Sequence, residues 1–142
     1  MKRLRKGFTL TEIMTVVSII GLLSAMAVPQ YMTSVRRSRE NSLRATLAVV
    51  RSAVDAYRND TGAFPAAISD LSSTSAPASG LSSTAATVTI TSSDWRGPYL
   101  RAVPTDPVSG SAFTYSTTSG TVGNVSSSAS GNDSRGTAFS TY

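Results

Sequence analysis

The 142-residue sequence contains no cysteine and no histidine. Without cysteine there can be no disulfide, no thiolate metal site and no cysteine nucleophile. Without histidine there is no Ser-His-Asp triad and no imidazole-ligated metal. Acidic groups are scarce as well: eight in the whole chain, with Asp133 alone following Asp106. These two aspartates are too isolated to form a paired-carboxylate centre, and no phosphate-binding glycine loop is present. The composition therefore predicts a non-enzyme. Charge is absent from residues 13–28, and residues 72–93 are almost entirely Ser, Thr, Ala, Gly and Pro. The length suits one small domain, and its core must be modest. Docking on neighbouring copies is the expected source of additional stability.

The formal charge of +5 is concentrated at the start of the chain. Without Lys2, Arg3, Arg5 and Lys6, the 13 basic groups fall to nine against eight acidic ones. A near-neutral remainder argues against a nucleic-acid partner, which selects for a sustained basic patch. The six arginines of residues 30–60 face Glu40, Asp55 and Asp60, and read as a solvated helix face with local ion pairs.

What is present begins with an apolar run of 21 residues, Phe8 to Val28, directly after the basic cluster. As a helix it would extend about 32 Å, enough for a hydrocarbon core about 30 Å thick. The basic cluster predicts a single span with its N-terminal end in the cytoplasm. Glu12 lies inside this run. A carboxylate deep in lipid costs roughly 2.5–3.5 kcal/mol on insertion scales, so it calls for a partner. An α-amine freed at Phe8 by proteolysis, on the same or a neighbouring copy, would supply the counter-charge. The competing interpretation is a secretory signal cleaved after Ala25-Met26-Ala27; an acid in the h-region speaks against it.

Lys6-Gly7-Phe8-Thr9-Leu10-Thr11-Glu12 resembles the processing motif of type IV pilins and type II secretion pseudopilins. The resemblance implies cleavage after Gly7 by a prepilin peptidase and methyltransferase, N-methylation of Phe8, and a role for Glu12 in guiding assembly. Gly21 and Pro29 match positions where helices of that family carry Gly and Pro. The resemblance implies that helical order between them can be lost in the filament.

Beyond the apolar run, Leu43, Leu47, Val50, Val54 and Tyr57 recur at spacings of four, three, four and three, the signature of one buried helix stripe. Arg36, Arg37, Arg39, Arg44, Arg51 and Arg58 fall on other faces with Glu40 and Asp55. The pattern predicts one long helix from about residue 8 to residue 59, bent at Pro29, with Asn59-Asp60-Thr61-Gly62 as its stop. The remainder reads as loops and short strands: Thr87–Thr91, Ala112–Tyr115, Thr121–Val125 and Thr137–Thr141. Residues 72–86 read as mobile low-complexity chain. The fold class is α+β: a long bent helix packed on a small antiparallel sheet, which the resemblance makes a pilin-like fold. Its parts are residues 1–7 as leader, 8–29 as membrane and polymerisation helix, 30–60 as amphipathic helix and 61–142 as a periplasmic loop-and-sheet region.

A second signature is the run from Trp95 to Pro107, in which Gly97, Pro98, Pro104 and Pro107 constrain the backbone while Trp95 and Tyr99 supply anchors. It resembles the W-x-G-P-Y-L-x-x-x-P-x-D-P segment of the major pseudopilin of type II secretion systems, with Asp106 as its acid. Asp60-Thr61-Gly62-Ala63-Phe64-Pro65 resembles the segment that follows the helix in the same subgroup. The resemblance implies a calcium ion in the final loop, with Asp133 as the one acidic ligand. Asn132, Ser134 and carbonyls near Gly131 would have to complete the shell, since calcium takes six to eight oxygens. The alternative is a loop held by hydroxyl hydrogen bonds.

The expected function is that of a structural subunit of a type II secretion pseudopilus, anchored in the inner membrane of a Gram-negative envelope. It would polymerise with copies of itself, in the company of an assembly platform and minor pseudopilins, to push folded proteins across the outer membrane. A type IV pilus subunit serving adhesion, motility or DNA uptake is the alternative.

Overall fold

The computed structural model describes residues 7–142, so the leader residues 1–6 lie outside the described residues. One 52-residue helix, α1 (Leu10–Thr61), dominates the chain. Its assigned helix runs through Gly21 and Pro29 without a break. The described residues divide into two compact units, one ending at Arg37 and the other running from Ser38 to Tyr142.

In the first unit the helix has no buried residue from Leu10 to Ser34. Its apolar side chains, Ile13, Met14, Ile19, Ile20, Leu22 and Leu23 among them, all stand exposed. The membrane-length segment within α1 has a mean hydropathy of 1.9.

In the second unit the helix becomes the spine of a packed core. Leu43, Leu47, Val50, Val54 and Tyr57 are each no more than 2% exposed, as their spacing predicts. Ala63, Leu71, Ile90, Phe113, Val125 and Phe139 join them from the rest of the chain. Truncating one of the stripe leucines to alanine would cost about 2–5 kcal/mol. Glu40 extends the same stripe by one further step of three residues and is buried with it. The sequence reading placed this carboxylate on a solvated face; the i, i+3 spacing to Leu43 is the signal that places it inside.

The helix ends where expected, within two residues. Thr61 Oγ1 donates to the carbonyl of Tyr57 at 2.8 Å, and the Gly62 N–H closes the last turn on Arg58 O at 2.8 Å. Two separate antiparallel ribbons follow: β1 (Ser79–Leu81) pairs with β2 (Thr87–Thr89), and β3 (Thr114–Tyr115) pairs with β4 (Val125–Ser126). Isolated bridges extend the pairing, Phe64 with Leu81 and Asn132 with Ala138.

Three local expectations fail. Most of Thr121–Val125 is not a strand: residues 121–123 form a turn, and β4 begins only at Val125. Residues 72–86 hold strand β1, which pairs with β2, and its Leu81 also exchanges both backbone hydrogen bonds with Phe64 at 2.7 and 2.8 Å. That long-range partner is invisible to composition. The stretch Thr137–Thr141 is not a strand. Phe139–Thr141 forms a 3-10 turn that places Phe139 in the core.

Candidate assembly site

Gly7 and Phe8 precede the helix and are exposed. Thr9 acts as its N-cap: the Thr9 hydroxyl accepts the Glu12 N–H at 3.3 Å, and the Thr9 carbonyl accepts the Ile13 N–H at 3.3 Å. This half of a capping box puts Glu12 in the first turn, where a carboxylate is favoured by the helix dipole. The same side chain is exposed. Polar groups further along are satisfied internally. Thr15 Oγ1 donates to Thr11 O at 2.9 Å and Ser18 Oγ to Met14 O at 2.8 Å, so these hydroxyls carry no unpaired donors. A Cβ added at Gly21 would meet nothing within 4 Å, so its small size is unused by the isolated chain.

The Trp95–Pro107 run forms a tight cover on the amphipathic half of the helix. The Tyr99 hydroxyl donates to Asp60 Oδ2 at 2.9 Å, and the Tyr99 ring lies 5.4 Å from that of Tyr57. The N–H groups of Tyr99 and Leu100 both reach Leu71 O, at 2.9 and 2.8 Å. The Trp95 ring folds over Gly97, where any Cβ would sit 2.6 Å from the indole, so the close approach requires glycine. The Gly97–Pro98 peptide is cis; Pro98 is exposed, while Pro104 and Pro107 are half-buried.

Asp106 is fully buried and ties two loop segments together. Its Oδ1 accepts the N–H of Val108 at 2.7 Å and of Ser109 at 3.2 Å. Its Oδ2 accepts the Ser127 hydroxyl at 2.5 Å and the Ser128 N–H at 3.2 Å. Burial pushes its pKa up, but these donors outweigh burial and leave it below the ordinary value.

The final loop does not fit a calcium ion. Asp133 Oδ1 accepts the N–H groups of Arg135 and Thr137, both at 2.8 Å. Its Oδ2 accepts the Arg44 guanidinium at 2.8 Å and the Tyr142 hydroxyl at 2.5 Å. Both oxygens are therefore aimed at donors, one of them a cation. Ser134 turns its hydroxyl to Glu40 Oε2 at 2.6 Å. Among the described residues no three acidic side chains converge on one point. The sequence pattern puts Glu40 and Arg44 on a solvated helix face and gives no role to Tyr142; only the fold brings Arg44 and Tyr142 to Asp133 and Glu40 to Ser134.

The chain matches the family described as type II secretion system (T2SS), protein G, over residues 30–139, and the prokaryotic N-terminal methylation motif over residues 2–28. The first match covers well over half of the sequence: the chain belongs to the type II secretion system protein G family. Among curated proteins it is 38% identical to a type II secretion system core protein G of Pseudomonas aeruginosa over 64 residues, 45% of each chain. It is 31% identical to the core protein G of Aeromonas hydrophila over 64 residues, again 45% of each. A type IV major fimbrial protein, FimA of Dichelobacter nodosus, is 46% identical over 55 residues, 39% of this chain and 35% of the relative. The matched stretches thus span less than half the length of these relatives. No solved structure matches.

Proposed function

We propose that this chain is a structural, non-catalytic subunit of a type II secretion pseudopilus. Cleavage after Gly7 by a prepilin peptidase and methylation of Phe8 generate the mature end. The apolar half of α1 then sits in the inner membrane with residues 61–142 in the periplasm. Assembly proceeds by packing these helices against those of sister subunits, on a platform shared with minor pseudopilins. Addition of subunits pushes folded cargo across the outer membrane.

The observation that carries this reading is an apolar helix half with no buried residue from Leu10 to Ser34, headed by the exposed carboxylate of Glu12. Such a surface needs lipid before assembly and other helices after it. Within the polymer, Glu12 finds the freed amine of Phe8, which offsets its desolvation. Gly21, with open space around it, permits close approach of a neighbouring helix.

The test is the mature N-terminus, read by mass spectrometry of the membrane-extracted protein. N-methylated Phe8 is the expected result; a terminus at Val28 would mark an exported protein with an ordinary signal and end the proposal. Matches to fimbrial proteins favour a second reading, a type IV pilus subunit. Gene deletion separates the two: loss of exported enzymes supports the pseudopilus, whereas loss of twitching or transformation with secretion intact supports the pilus.

A further inference from the structure

The C-terminal loop of the chain, residues 131–142, is folded around a cation, and that cation belongs to the protein. Arg44 reaches from the helix and donates through Nη2 to Asp133 Oδ2 at 2.8 Å and to the Tyr142 hydroxyl at 2.5 Å. The Tyr142 hydroxyl in turn donates to Asp133 Oδ2, closing a three-membered ring of hydrogen bonds. The second guanidinium nitrogen, Nη1, donates to Asn41 Oδ1 at 3.3 Å, which orients the fork. The Asp133 side chain is fully buried, whereas that of Arg44 remains 30% exposed.

One step along the helix, Glu40 receives both the N–H of Ser134 at 2.9 Å and its hydroxyl at 2.6 Å. Two consecutive loop residues, Asp133 and Ser134, are thus tied to one helix face. Within the loop, Asp133 N–H binds Thr137 O at 2.8 Å and Phe139 N–H binds Gly131 O at 3.0 Å. The loop so shaped delivers Phe139 to the core.

A metal ion in a loop of this kind gathers carboxylates and carbonyls around a positive charge. Here the positive charge is present already, and every Asp133 oxygen faces a donor. We propose that the Arg44 guanidinium takes the place of a bound metal ion in ordering the C-terminal loop, making the fold independent of calcium.

The experiment follows thermal unfolding of the full chain in detergent through the fluorescence of Trp95, the single tryptophan. The unaltered protein should melt at the same temperature in calcium and in chelator. A calcium-dependent rise in Tm overturns the proposal, and this arm stands whether or not any variant folds. Arg44→Met should lower Tm by on the order of 5 °C, Arg44→Lys should recover part of the loss, and calcium should not be needed in either. Adding Asp133→Asn to Arg44→Met should be less damaging than the sum of the two single changes, because the orphaned charge goes with its partner. Full additivity, or an Arg44→Met chain as stable as the original, would show that the guanidinium orders nothing.

Discussion

The Tyr99 hydroxyl donates a hydrogen bond to the carboxylate of Asp60 at 2.9 Å, across 39 positions of sequence. This bond joins the two segments that carry the family resemblance, the helix exit at Asp60–Pro65 and the Trp95–Pro107 run. They act as one structural unit, with the Tyr57 ring packed between helix and loop.

Tyr57 and Tyr99 should therefore respond in opposite ways to loss of the hydroxyl. Tyr99→Phe removes a bond to a charged group and should destabilise by about 1.5–3 kcal/mol. The Tyr57 hydroxyl is buried with no hydrogen-bond partner, and burial pushes its pKa up to about 12. Tyr57→Phe should be neutral or mildly stabilising, since it deletes an unpaired polar atom and keeps the ring. Denaturant midpoints of the two variants, compared at constant m-value, check both directions.

Asp106 ties residues 108–109 to residues 127–128, and its removal should loosen both. Asp106→Ala leaves buried donors unpaired at about 1–3 kcal/mol each, so severe destabilisation is expected. Asp106→Asn should be milder and should change the pH profile. The folded pKa lies below the ordinary aspartate value of 3.8. The stability this carboxylate contributes is thus present above that value and is lost as pH falls below it, through the folded pKa. The gap in Tm between the original chain and Asp106→Asn should be full at neutral pH and should narrow in acid below about 3.8. A gap that stays constant into strong acid would mean the charge is irrelevant.

Gly123 adopts φ +87°, and an added Cβ would lie 2.3 Å from the Phe64 ring, which itself carries Arg58 at 4.6 Å. Gly123→Ala combines a left-handed backbone with a collision against a ring and should cost about 2–4 kcal/mol. Gly21→Ala is the contrast: no atom lies within 4 Å of the new methyl. It should leave monomer stability unchanged and lower the yield of assembled filament, measured by shearing and sedimentation.

Glu12→Ala should give a chain that is inserted, processed and stable but assembles poorly. Loss of filament with normal membrane content is the expected outcome of immunoblotting the sheared fraction. Undiminished filament would show that the carboxylate is dispensable.

The helix was legible because its signals are local: an uncharged run, a period of 3.6 residues and a stop at Asn59–Gly62. The stripe from Leu43 to Tyr57 lies buried as its spacing predicts. The C-terminal half was less legible because its strands are only two or three residues long, and the contacts that fix its loops come from far along the chain. Leu81 bridges back to Phe64 at the helix exit, and Asp133 meets Arg44 across 89 positions. A lone aspartate in a Ser/Gly-rich tail gives no sign of whether a metal or a guanidinium faces it. The missing clue was Glu40, whose register with the stripe marks that end of the helix as an interior polar site.

The hydroxyls of Thr15 and Ser18 are spent on carbonyls one turn back in their own helix. A rod that has already used these groups offers its neighbours grease and shape there rather than directional bonds. Two such rods would glide or rotate against each other at little penalty, which under the proposed pairing of Glu12 with a freed amine would leave the carboxylate near the tip as the latch that sets their stagger. A filament built this way would be supple along its length and fixed in its step.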